Sequence, residues 1–243
     1  MTEQKKLTGT DLIRGIVVGY EAAIRLASAI QPSHRNKGYH ATGTCGTIGA
    51  AIGSAAALCF SKQQMKNALT AAATSAAGML NVIKGSSELK PFNAGQAAVS
   101  GLMAALVAQA GFTGSDDVLG GEWGFLDMLT EKCNLELFEK QPEDVLGIEK
   151  VYMKPYAACR HCHPAIEAAL ELRKLHSIEI SQIKEIKVST YYLAAGGHDH
   201  VEINGITSAK MSTPYSLAVA LITGKAGINE FSDLKISEQE ILN

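Results

Sequence analysis

Aromatic residues are scarce in this chain of 243 residues: one Trp, seven Tyr and six Phe make up 6% of it. With Ala and Gly abundant instead, the composition points away from a β-sandwich. The Ala and the 23 Gly allow helices to approach closely. Charge is also sparse, at 19% against 47% hydrophobic residues, which excludes a disordered chain and leaves enough apolar surface for a sizeable core. Neither sign dominates, since 22 Lys plus Arg face 24 Asp plus Glu for a net charge of -2. A general nucleic-acid or anionic-membrane binder would need a basic surface that this balance does not supply. Long apolar runs are missing too. The segment Asp11 to Ile30 carries Asp11, Arg14, Glu21 and Arg25, and the segment Gly95 to Phe112 is diluted by Gln96, Ser100 and Gln109, so neither reads as a membrane span. The opening Met1-Thr2-Glu3-Gln4-Lys5-Lys6 has no apolar stretch of the secretory kind behind it. Together with five irregularly spaced cysteines, read as reduced thiols, this predicts a cytoplasmic protein.

The length suits one or two domains. Ile13, Val17, Tyr20, Ile24 and Leu26 recur at helical spacing over Leu12 to Ile30, with Thr10 or Asp11 as the expected N-cap. A Gly- and Thr-rich stretch from Gly38 to Gly46 has no period. Helices are then expected at Ile48 to Phe60, at Ser61 to Leu80 behind a Ser61/Gln64 capping box, and at Ala94 to Ala110. Between Ala41 and Ile83 only Lys62 and Lys66 are charged, which predicts helices covered on most sides, by oligomerisation or by a larger helical body. Past Pro142 the pattern changes: Gly147 to Met153 and Ile183 to Leu193 read as strands, and a helix runs from Pro164 to His176 between them. A final helix starts at Pro214, capped by Ser212 or Thr213, and stops at Gly224. The expected class is α+β: a mostly helical domain over 1–141, then a smaller α+β domain over 142–243.

Cys159-Arg160-His161-Cys162-His163 fits the C-x-x-C-H pattern of haem attachment, but no export signal accompanies it. Zinc is the next reading, with His198 and His200 as a loose second ligand pair. His40, among glycines and hydroxyls ahead of a buried helix, is either satisfied locally or an acid/base group at a loop-to-helix junction. Lys90, Lys154, Lys210 and Tyr215 each lie at an element end, where a solvated charge or a packing ring is the ordinary explanation of any one of them.

In combination they form a pattern. Gly38-Tyr39-His40-Ala41-Thr42-Gly43-Thr44-Cys45-Gly46-Thr47-Ile48-Gly49-Ala50-Ala51 resembles the G-[FY]-H-x-T…G…G-A-A stretch of the MmgE/PrpD family. The likeness continues in the same order through Lys90-Pro91-Phe92-Asn93-Ala94-Gly95, Gly111-Phe112-Thr113-Gly114, Lys154-Pro155-Tyr156-Ala157-Ala158-Cys159-Arg160 with His163, and Ala209-Lys210-Met211-Ser212-Thr213-Pro214-Tyr215. That family includes 2-methylcitrate dehydratase, cis-aconitate decarboxylase and iminodisuccinate epimerase.

The resemblance implies a large helical domain and a smaller α+β lid, with the active site between them. It also implies a lyase, dehydratase or decarboxylase, that needs no cofactor and no metal and acts on a small di- or tricarboxylate such as 2-methylcitrate or cis-aconitate. The alternatives are an epimerase-type isomerase or a non-catalytic structural fragment. By motif position, His40, Lys90, Lys154 and Tyr215 are the catalytic candidates, and His40, Lys90, Lys154 and Lys210 the substrate-binding ones. Lysines suit carboxylates as point charges. Cys159 and His163 are given a supporting role. Asn93 stands where a histidine is common in the family, and Ala157 where proline is frequent. The family's outer helical portions have no counterpart in the matched motifs, so the expected partners are the polycarboxylate substrate and either a second copy in a homodimer or a complementing chain, with no nucleic acid and no membrane.

Overall fold

The computed structural model describes residues 2–83, 87–139 and 145–242. The chain divides into two compact units, Met1–Asn81 with Leu89–Tyr152, and Val82–Glu88 with Met153–Asn243. The expected boundary between 141 and 142 lies outside the described residues; the division falls after Tyr152.

The first unit is helical. Helix α1 (Gly9–Ile30) begins at Thr8, whose hydroxyl accepts from the Asp11 amide while the Asp11 carboxylate accepts from the Thr8 amide at 2.9 Å. The cap thus falls two residues before Thr10, because Asp11 serves as the third residue of a capping box. Helix α2 (Ala41–Ala57) starts well ahead of the expected Ile48. Eleven of its residues are buried, so no polar face exists to print a period on the sequence. Helix α3 (Lys62–Ser75) has the Ser61/Gln64 capping box, and helix α4 (Lys90–Gln109) opens with Pro91 in its first turn.

Helix α2 is the hub, packed by α1, α3 and α4. Its neighbours within the chain explain its lack of charge. Small residues four apart make the α1–α2 seam: an added Cβ at Gly53 would sit 2.6 Å from the Gly15 carbonyl oxygen, and one at Gly49 would sit 2.7 Å from the Ala23 Cβ. Across α2 and α4, a Cβ at Gly101 would come within 2.6 Å of the Thr47 carbonyl oxygen. Arg14 closes the far end, donating from Nε to the Ala56 carbonyl at 3.0 Å, where a helix C-terminus favours a cation. Leu26, Ala29, Ile30, Cys45, Ile48 and Phe125 form the main core. Apolar residues remain exposed on α1 and α4, with Ile13 at 63% and Val99 at 61% exposure.

The second unit centres on helix α5 (His163–His176), helix α6 (Ile206–Met211) and helix α7 (Thr213–Thr223). The Ser212 hydroxyl accepts from the Tyr215 amide to cap α7, and Gly224 ends it in the left-handed conformation at φ +74°. Cys162, Ile166, Ala209, Tyr215, Val219 and Phe231 form its core.

The two expected strands are not formed. Gly147–Lys150 is a 3-10 turn, and Ile183–Tyr191 carries no ladder hydrogen bonds before a helical turn at Tyr192–Ala195. Alternation makes a strand only where a second strand supplies the ladder. Among the described residues the single β-bridge is Tyr39 to Met79. The described structure is thus mostly helical, and no helix in it is long and apolar enough to cross a membrane.

Gly49→Ala should destabilise the chain by about 1–3 kcal/mol by overpacking the α1–α2 seam. Gly95→Ala, where an added Cβ meets nothing within 4 Å, should leave stability unchanged or raise it by up to about 1 kcal/mol. Urea unfolding of both variants checks this; equal effects would contradict the seam.

Candidate functional site

His40 is the N-cap of α2, yet its side chain makes no capping bond. The backbone does the holding instead. The His40 amide donates to the Gly78 carbonyl at 3.0 Å, and the His40 carbonyl accepts from the Gly43 and Thr44 amides at 2.9 and 3.2 Å. Gly43 makes this approach feasible, since a Cβ there would lie 2.2 Å from the Ala77 carbonyl oxygen. The imidazole is thereby left to Asn93, a buried residue in the first turn of α4, whose amide nitrogen donates to His40 Nδ1 at 2.8 Å. With Nδ1 accepting, neutral His40 carries its proton on Nε2.

Lys90, half-buried, is the first residue of α4. His40 and Lys90 therefore both stand at helix N-termini, where the backbone contributes partial positive charge. Burial holds His40 below its ordinary 6.5, and the charges of Lys90 and Arg35 hold it lower still. The imidazole is neutral at pH 7, beside cations suited to an anionic ligand.

His34 completes the cluster and escaped the sequence reading. It is fully buried, with Nε2 2.9 Å from the Thr44 hydroxyl and its ring 5.3 Å from that of Tyr39. Among the described residues its Nδ1 has no hydrogen-bond partner. Burial first, and His40 second, lower its pKa as well. Its sole sequence signal was a place six residues before His40.

In the second unit, Lys154 is exposed and donates from Nζ to the Ala158 carbonyl at 3.4 Å. Lys210 lies in the last turn of α6, and its carbonyl accepts from the Cys159 amide at 2.7 Å. Tyr215 is buried, its hydroxyl donating to the Glu230 carbonyl at 2.8 Å and its ring 5.6 Å from Phe231. Burial, followed by Glu238 and Glu230, pushes its pKa up to about 12. The structure thus joins His40 and Lys90 through α2 and α4, while the Tyr215 hydroxyl is committed to a backbone carbonyl. His163 is buried, with Nε2 3.2 Å from the Ala158 carbonyl, in keeping with a supporting role.

Comparison with known proteins decides the family. The MmgE/PrpD N-terminal domain matches residues 1–137, and the MmgE/PrpD C-terminal domain matches residues 156–243. The chain belongs to the MmgE/PrpD family. A cis-aconitate decarboxylase of Aspergillus terreus is 29% identical over 94% of this chain and 50% of its own length. The cis-aconitate decarboxylase-like protein oryM of Aspergillus oryzae is 27% identical over 93% of this chain and 50% of its own. A human cis-aconitate decarboxylase is 34% identical over 49% of this chain and 25% of its own. The chain spans about half the length of the two Aspergillus relatives.

Histidine NMR titration should place the His40 pKa below 6.5, and Lys90→Met should raise it by removing a cation. A value unmoved by that change would contradict the proximity of the two groups. Because the folded-state pKa lies below the unfolded one, the stability His40 contributes is present above about pH 6.5 and is lost as pH falls through the folded value.

Proposed function

We propose that this chain forms part of a cofactor-independent lyase that acts on a small polycarboxylate, with decarboxylation of a cis-aconitate-like acid as the favoured reaction. The observation that carries the proposal is the His40–Asn93–Lys90 cluster in a member of this family. Lys90 offers a carboxylate a compact positive charge. Decarboxylation breaks the bond between carbon and the departing carboxylate, and the electron pair moves into the remaining conjugated carboxylate as carbon dioxide leaves. Neutral His40 can hydrogen-bond to that growing negative charge through Nε2–H, as a fixed donor that needs no reorganisation. A proton must then return to carbon.

Motif position alone gives Tyr215 the proton-transfer role and gives Lys154 and Lys210 the further carboxylate-binding charges. We also read residues 142–243 as the family's α+β lid, supported by the alternation of Ile186, Val188 and Thr190 with Glu185, Lys187 and Ser189 and by extended backbone at Ile183 and Tyr191, although no ladder forms there. A cytoplasmic location and a homodimer or complementing chain belong to the same proposal. The exposed apolar residues of α1 and α4 favour such cover. A second reading, a non-catalytic member, draws on Asn93: an amide cannot exchange protons as the histidine common in the family could.

Thermal unfolding with cis-aconitate, citrate, 2-methylcitrate and iminodisuccinate separates these readings. A ligand that binds only the folded state adds about 2.7 kcal/mol at 100 times its Kd. The expected result is a selective rise in Tm with cis-aconitate that Lys90→Ala abolishes. A cooperative transition indifferent to all four acids would instead support the non-catalytic reading. A rise with another of the acids would redirect the substrate assignment.

A further inference from the structure

The second unit holds a cluster that the proposed lyase chemistry does not use. His198 is 2% exposed and sits in the loop before α6, with Nδ1 2.7 Å from the Met211 carbonyl. A carbonyl only accepts, so Nδ1 carries a proton and Nε2 is the ring atom left to act as a ligand. His198 Nε2 lies 3.8 Å from the Cys159 sulfur. The ring of His161 packs 5.2 Å from that of His198, oriented by the Tyr191 hydroxyl 2.6 Å from its Nδ1. One ligand atom from each of Cys159, His161 and His198 falls within 4.8 Å of the other two.

These distances suit a metal ion. A tetrahedral zinc with Zn–S of about 2.3 Å and Zn–N of about 2.0–2.1 Å holds its sulfur and nitrogen ligands about 3.6 Å apart. The observed sulfur-to-nitrogen separation is 3.8 Å. The Nδ1–H bond from His198 to a backbone carbonyl is the outer contact that fixes the tautomer and orientation of a metal-bound imidazole. The scaffold is tied down independently of any ion. The Cys159 amide donates to the Lys210 carbonyl at 2.7 Å, and the Thr213 amide donates to the His198 carbonyl at 2.7 Å. Thiolate with imidazole selects zinc-like metals over magnesium or calcium, which prefer oxygen.

We propose that Cys159, His161 and His198 form a zinc site with three protein ligands and one position held by water. Cys159 and His161 are half-buried, so solvent reaches the open position. The grouping differs from the pairing weighed in the sequence. His198 joins the Cys159 turn, whereas His200 turns to the Ser208 carbonyl, 3.1 Å from its Nε2. Bound zinc would staple the turn that opens α5 to the loop that opens α6.

The test uses the full chain, purified under reducing conditions, stripped with a chelator and dialysed against zinc. Elemental analysis should find one ion per chain, and Tm should rise with zinc. Cobalt in its place should give a thiolate charge-transfer band and the visible bands of a tetrahedral site. Cys159→Ser and His161→Asn should each lose the bound ion, with His161→Asn keeping the proposal testable if a change at Cys159 impairs folding. Cys162→Ser and His200→Asn should keep the ion. Absence of stoichiometric zinc in the unaltered chain would overturn the proposal, as would retention of zinc in both Cys159→Ser and His161→Asn.

Discussion

Everything in the first unit depends on how near the backbones of α1, α2 and α4 come to one another. At Gly15, Gly19, Gly49 and Gly53 the closest contact across the seam is to a main-chain atom or a methyl group, at distances a side chain would violate. Close approach of this kind maximises dispersion contacts and leaves little room for adjustment. It also places α2 in the middle of the unit, so that its N-terminus, and with it His40, has a fixed position relative to α1 and α4.

From that constraint the site follows. Gly43 continues the run of small residues to the first turn of α2 and admits the Ala77–Gly78 segment, whose carbonyl anchors the His40 amide. Gly101 holds α4 against α2, and α4 in turn delivers Asn93 to the imidazole and Lys90 to its vicinity. The histidine is kept neutral and its proton kept on Nε2 by burial, by neighbouring cations and by one amide hydrogen bond. None of these requires a ligand to be present, which is what electrostatic preorganisation demands. The buried His34, with one ring nitrogen unpartnered among the described residues, costs stability that a core of satisfied groups would avoid.

Some of this was legible in the sequence because the signals are local. The Ser61/Gln64 box, the Ser212 cap and the Gly224 stop each depend on a few adjacent residues, and each is found where expected. The start of α2 was not legible, because a helix buried all round shows no periodicity. The two expected strands rested on alternation, a pattern that records which faces differ but not whether a neighbouring strand exists. Site residues divide in the same way. His40, Lys90, Lys154, Lys210 and Tyr215 stood out through motifs. By contrast, His34 and the meeting of His198 with Cys159 and His161 arise from packing between segments far apart in sequence or without a motif of their own.

The most direct test of a preorganised, neutral His40 that receives a polycarboxylate is nitrogen NMR of the imidazoles in the full chain, with and without cis-aconitate. The account predicts that His40 rests as the Nε2-protonated tautomer and that its Nε2 resonance moves on saturation with the acid, while Nδ1 continues to accept from Asn93. A resting Nδ1-protonated tautomer, or a His40 spectrum indifferent to the acid, would contradict it.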